Sequence, residues 1–255
     1  MKKQIKKIVL LIVAIFGVNC VNAQKDFSYH LGILFPQGKF ADSRDDGNVA
    51  WGYETDRAGA GFGFNFGMKL RFEYPSIKGL GIIATADFFY NTPNDDIQDW
   101  KDDIEESWDA DEFSLKAPKY INIPIMVGLN YEYEINDNTK FFGEGALGFN
   151  IGTLTDFSLY ARGTEEYSYA DYKWTERKEY SYKTNLSFAF QFGAGFMFNN
   201  KYSLGVHYYL LGSQKIKGEY LIRSTYDVLS DKDEGRFTFK SINPSILAIR
   251  LGFHF

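Results

Sequence analysis

The sequence predicts an all-β fold: an eight-stranded antiparallel up-and-down transmembrane β-barrel, with short turns at one end and long loops at the other. Three observations predict it. Large apolar side chains recur at every second position, segment after segment. The connections between those segments alternate between a few residues and long stretches. The last segment runs to an aromatic residue at the very end, Phe255.

Composition agrees. A 255-residue chain accommodates one large β-domain. It holds 24 Phe, 18 Tyr and 24 Gly but only 6 Pro. Aromatics favour strands, and glycine lets backbones approach closely. With 24% of the residues charged, and no apolar run after residue 23 near the ~20 residues a membrane helix needs, a helical membrane protein is excluded.

Taken in order, the chain opens on Lys2, Lys3, Lys6 and Lys7, then the apolar run 8–18, then Val21-Asn22-Ala23. That pattern predicts a cleaved export signal over 1–23 and a single barrel domain over 24–255. Cys20 is the chain's one cysteine, so a mature chain starting at Gln24 has no disulfide and no thiol nucleophile. It keeps 24 basic against 33 acidic residues, a net charge of −9, which is no footprint of nucleic-acid binding.

The first strand is expected near 27–36, with Phe27, Tyr29, Leu31, Ile33 and Phe35 on one face. The second gives the clearest alternation: Phe62, Phe64, Phe66, Met68, Leu70, Phe72 and Tyr74 against Gly61, Gly63, Asn65, Gly67, Lys69, Arg71 and Glu73. Only a strand turns alternate side chains to opposite faces for seven repeats. Six more follow near 80–90, 120–134, 140–153, 184–198, 202–212 and 247–255. Turn-forming residues join them at 75–79, 136–139 and 199–201. Long connections fall near 37–60, 91–119, 154–183 and 213–244. In a soluble barrel the continuous aromatic and aliphatic face would meet water. The expected location is therefore the outer membrane, with short turns in the periplasm, long loops outside, and lipid against the apolar face.

The closing stretch Arg250-Leu251-Gly252-Phe253-His254-Phe255 resembles the terminal signal read by the outer-membrane assembly machinery; Arg250, Gly252, Phe253 and Phe255 carry that resemblance. Tyr120-Ile121-Asn122-Ile123-Pro124 resembles a strand motif of the small outer-membrane β-barrel family that includes PorT-like and porin-family proteins. The resemblance implies the barrel architecture and, for PorT-like members, a link to protein secretion. No functional residue is carried over from it.

Eight strands leave a lumen that side chains can fill, or that holds one small ligand. Parity points Lys69, Arg71, Glu73, Asp87, Glu132, Glu144 and Arg250 inward, where opposite charges are expected to pair as a structural polar network. His30, His207 and His254 are also expected inward, with no ligand spacing around them that suggests a metal. No Gly-x-Ser-x-Gly, HExxH or phosphate-loop pattern is present, and no outer-rim position carries a histidine base. No enzyme activity and no cofactor are expected.

The long connections hold the remaining signals. The stretch 91–119 is strongly acidic, and Ile97, Trp100, Ile104 and Trp108 recur at helical spacing. Trp100, Trp108, Asp102 and Asp103 are its candidate partner-binding residues. The stretches 154–183 and 213–244 are rich in tyrosine and charge, and are expected to form hairpins continuing the barrel strands. Together these features favour a non-enzymatic scaffold or binding component that meets a protein or glycan partner through its loops or its periplasmic rim. A narrow channel for small solutes or ions, and a lipid-modifying enzyme at the rim, are the alternatives.

Overall fold

The computed structural model describes residues 25–42, 58–94, 105, 110–167, 170–227 and 229–255. The expected export signal, and Trp100, Asp102, Asp103 and Trp108, lie outside the described residues.

Strands are β1 (Lys25–Pro36), β2 (Ala60–Glu73), β3 (Leu80–Pro93), β4 (Glu112–Lys116), β5 (Tyr120–Asn136), β6 (Thr139–Leu154) and β7 (Phe157–Tyr167). They continue with β8 (Ala170–Tyr182), β9 (Asn185–Phe198), β10 (Tyr202–Leu210), β11 (Gln214–Tyr226), β12 (Leu229–Ile242) and β13 (Ser245–His254). Eight close a barrel in the order β1-β13-β10-β9-β6-β5-β3-β2, every neighbour antiparallel. The seam is β1 against β13, from Ser28↔His254 to Pro36↔Ile246.

Local chemistry sets the short turns. Asn199 and Asn200 adopt φ of 51° and 54° between β9 and β10, a conformation asparagine tolerates better than most residues. Between β2 and β3, Tyr74 N–H donates to the Leu80 carbonyl (2.8 Å), and Gly79 takes φ 83°.

The alternation predicted for the strands holds around the ring. Phe64, Phe66, Ile82, Val127, Leu129, Leu147, Phe149, Phe188, Phe190, Val206 and Leu251 are exposed on the outer wall. Aromatics gather toward both ends, including Tyr29, Tyr131, Tyr133, Phe141, Tyr202 and Phe253 at the short-turn end. Such a belt far exceeds the apolar patches of soluble proteins and matches the lipid-facing wall of membrane barrels.

The inward side chains form layers. Along β1 the order from the short-turn end is Asp26, Ser28, His30, Gly32, Leu34; along β13 it is His254, Gly252, Arg250, Ala248, Ile246. The first layer is charged and wet, the second is a buried polar network, and the third is apolar. Leu34, Phe89, Tyr120, Tyr209, Leu211 and Ile246 fill the third layer, each almost fully buried. Phe40, from a 3-10 turn at Gly38–Phe40, plugs it from above and packs edge-on against Tyr120 (5.2 Å between centroids). The Tyr120 hydroxyl donates to the Ala58 carbonyl, tying the far side of that connection to the barrel mouth.

The long connections depart from expectation in one respect. The hairpins β7–β8 and β11–β12 do not simply lengthen the barrel ladder. With β4 they build a second, five-stranded sheet in the order β12-β11-β8-β7-β4. The joining ladder is β8 with β11, from Gly218↔Tyr182 to Tyr226↔Trp174. Phe157, Leu159, Ala161 and Tyr180 are buried on one face of this sheet, continuous with the third layer. That burial explains the departure: two hairpins with one apolar face each bury it together rather than alone.

Candidate functional site

Two places carry functional chemistry: the lumen, and the five-stranded sheet beyond the barrel mouth. In the lumen, β3 contributes Asp87, whose Oδ1 meets His30 Nε2 from β1 and accepts from Asn65 Nδ2 of β2 (3.2 Å). Arg250 Nη2 from β13 lies 3.8 Å from the same oxygen, and Arg250 Nη1 donates to the Tyr209 hydroxyl of β10. A second cluster sits across the ring. Glu144 of β6 takes Lys69 Nζ at 2.9 Å on Oε2, and Gln191 Nε2 at 2.7 Å on Oε1, with His207 Nδ1 3.3 Å away.

These groups fit only because glycine faces them. A Cβ at Gly67 would overlap Asp87 and His30, and one at Gly193 would overlap His207. The close approach is thus built into the inward face of β2 and β9.

Toward the short-turn end the lumen opens into a polar cavity of about 480 Å³. Arg71 crosses its wall: Nε donates to Asn130 Oδ1 (2.8 Å) and lies 3.1 Å from Glu132 Oε1, Nη1 reaches Asp26 Oδ2 (3.1 Å), and Nη2 the Gly79 carbonyl (3.0 Å). Lys140 Nζ reaches Glu132 Oε2 at 3.5 Å. Glu73 lines the cavity and forms no ion pair among the described residues. At the rim, Lys78 Nζ donates to Glu134 Oε2 (2.7 Å), which holds that carboxyl below its ordinary range and the ammonium above its own.

The lumen residues singled out by parity therefore fall into two buried clusters and one cavity wall. Asp26, Lys140, Asn65, Asn130, Gln191 and Tyr209 complete them and were missed. Inward parity was their signal, but amides and a tyrosine do not stand out in a charge count, Asp26 falls just outside the expected strand 27–36, and Lys140 is the first residue of the expected strand 140–153. Two of the three histidines have carboxylate partners from strands far away in sequence, Asp87 for His30 and Glu144 for His207, which spacing along the chain could not reveal. No group of three metal-ligating side chains occurs among the described residues. Ser203 Oγ lies 2.9 Å from His254 Nε2 at the short-turn end, and no carboxylate hydrogen-bonds that ring among the described residues. Of the closing strand, Arg250 and Gly252 are buried and face inward, while Phe253 and Phe255 are exposed on the outer wall.

The polar side of the five-stranded sheet is the other candidate. Arg177, Arg223, Lys232 and Arg236 are exposed there. Lys183 Nζ, in the β8–β9 connection, donates to Glu219 Oε1 of β11 at 3.0 Å and holds that carboxyl below its ordinary range.

No known family model matches the chain, and no curated protein is detectably similar to it. Solved structures of similar shape include a major outer membrane protein from Thermus thermophilus (13% identity, 91% of this chain and 100% of that one, TM-score 0.45). The outer membrane protein OprG from Pseudomonas aeruginosa is 15% identical over 92% of this chain and 97% of its own, with a TM-score of 0.43. The attachment invasion locus protein Ail of Yersinia pestis is 12% identical over 92% of this chain and 100% of its own, with a TM-score of 0.37.

Proposed function

We propose that this protein is a non-enzymatic outer-membrane binding component whose working surface is the five-stranded sheet beyond the barrel mouth, the barrel serving as its anchor. One observation carries the reading. The lumen is filled across its middle by paired charges and above them by apolar packing, while the polar face of the sheet carries exposed cations. A conduit needs a continuous wet path, and eight strands leave room for side chains rather than for a channel. The cavity at the short-turn end is then a blind vestibule.

Within this reading, residues 1–23 are an export signal removed on passage to the periplasm, and the strand ending in Phe253 and Phe255 is read by the outer-membrane assembly machinery. The PorT-like resemblance adds a secretion-linked partner as the finer form of the proposal.

Two measurements test it. In planar bilayers the purified protein is expected to give no stepwise conductance; steady, ion-selective steps would replace the binding reading with the channel one. A photo-crosslinking residue at Thr225 or Tyr160, on the polar face of the sheet, is expected to capture a partner in native membranes, and one at Tyr131 on the lipid-facing wall is not. Equal capture from both positions would overturn it.

A further inference from the structure

We infer that the polar face of the five-stranded sheet binds an anionic polysaccharide along a cross-strand row of Arg177, Arg223 and Lys232. The inference rests on the reading of this sheet as the working surface and names the ligand class it takes.

Alternation sorts the sheet into two faces. Phe157, Tyr180, Tyr220 and Phe237 lie on the one that joins the apolar core. The other carries the row. Tyr160 of β7 sits opposite Arg177 of β8, Arg177 opposite Arg223 of β11, and Arg223 opposite Lys232 of β12. Neighbouring strands are about 4.8 Å apart, so three cations fall within roughly 10 Å on one line. Like charges placed directly opposite one another destabilise a sheet, and an anion lying along the line reverses that sign.

The flanking carboxylates do not neutralise the row. Glu179 Oε1 accepts from both Nε (3.0 Å) and Nη2 of Arg177, and Glu234 Oε2 lies 2.7 Å from Lys232 Nζ; both pairs are substantially exposed and therefore weak, so an anion can displace them. At the centre, Leu221 stands opposite both Glu179 and Glu234, and Arg223 makes no ion pair within 4 Å among the described residues, although Glu234 feels its charge at longer range. On the other side of the row, two residues further along each strand, stand Thr175, Thr225 and Ser230, opposite one another, with Arg162 at the end. A line of cations beside a line of hydroxyls fits a chain of sugars bearing sulfate, phosphate or carboxylate groups. Guanidinium forks take the anions, and the hydroxyls and Tyr160 meet the sugar rings.

Position selects a free polysaccharide over lipid phosphates. Arg177 lies eight residues before Asn185, where β9 enters the barrel, which at an extended rise puts the row about 25 Å along the chain from the barrel's edge. Headgroups sit at that edge.

The test uses the full chain in lipid nanodiscs with fluorescently labelled dextran sulfate and, as the uncharged control on the same backbone, dextran. Dextran sulfate is expected to bind and dextran is not. For three ionic contacts, raising salt from about 50 to about 200 mM should weaken binding roughly 20- to 40-fold. The triple variant Arg177→Gln, Arg223→Gln, Lys232→Gln should lose about tenfold or more at the lower salt, with Arg223→Gln alone intermediate and Lys78→Gln at the opposite end unchanged. Circular dichroism melting checks that each variant remains folded. Equal binding of dextran, or a folded triple variant that binds dextran sulfate as the parent does, overturns the inference. A protein in neutral nanodiscs that fails to bind dextran sulfate, yet docks on to acidic vesicles through the same three residues, assigns the row to lipid and overturns the inference as well. If dextran sulfate fails to bind while Thr225 still crosslinks a partner, the ligand class falls and the binding-surface reading stands; if both fail, both fall.

Discussion

Replacing Glu144 by Ala should be the most damaging single change in the lumen. The side chain is fully buried and receives Lys69 at 2.9 Å and Gln191 at 2.7 Å. Its loss leaves the Lys69 ammonium, on a side chain 12% exposed, without its counter-charge. Removing one partner of a buried pair costs ~3–5 kcal/mol; because Lys69 borders the cavity and water can reach part of it, the expected loss is about 3 kcal/mol. The second half of the test removes both charges. Lys69→Met with Glu144→Leu should recover most of the loss, since replacing a buried pair by apolar groups of similar size is often neutral. Reversible urea unfolding in detergent micelles, followed by far-ultraviolet circular dichroism, reads both. A Glu144→Ala barrel within about 0.5 kcal/mol of the parent, or a double variant worse than the single, would refute the claim that this pair is desolvated and mutually dependent.

Other consequences are accessible to the same or simpler assays. Phe190→Lys sets a charge on the outer wall and should cost about 2–4 kcal/mol of folding stability in lipid if that position is near mid-bilayer; an unchanged midpoint would argue against lipid contact there. Gly67→Ala drives a Cβ into Asp87 and His30 and should lower stability by about 1–3 kcal/mol, whereas Gly143→Ala, with open space around it, should be nearly silent. Tyr120→Phe loses the hydroxyl bond to Ala58 and should cost about 1 kcal/mol, with faster amide exchange at Ala58 and Gly59 as its local signature. Glu219 has its carboxyl depressed by Lys183, so the contribution of that clasp is present above the ordinary value of 4.5 and is lost as pH falls through the lower folded value; amide protection around Gly218, normalised to the intrinsic exchange rate at each pH, should fall on acidification through that window and stay flat in Lys183→Met.

How much of this was legible in the sequence depends on how far apart the interacting residues lie. Phe62 to Tyr74 announces its outer face within one strand, because lipid imposes an apolar residue at every other position and nothing distant has to be known. The same local rule turned Lys69, Glu144 and Arg250 inward. It could not say that Lys69 meets Glu144 75 residues away, or that Asp87 meets His30 across 57, since those pairings depend on strand order and tilt. The five-stranded sheet was harder still. In β8, Thr175, Arg177 and Glu179 alternate with Trp174, Glu176 and Lys178, so neither face reads as apolar until β11 and β7 are laid beside it. Within β4, only Phe113 and Leu115 carry the alternation, too short a run to single out a strand.

The seam between the first and last barrel strands has a further consequence. Phe27 and Phe255 exchange backbone hydrogen bonds in both directions, at 3.3 and 2.8 Å, so positions more than two hundred residues apart share one rung. A ring of hydrogen bonds has no beginning. A gene rearranged to join these two points through a short linker, and to start instead between Asn199 and Asn200, should give a polypeptide that refolds in detergent to the same cylinder, with its free ends moved to a different tight bend.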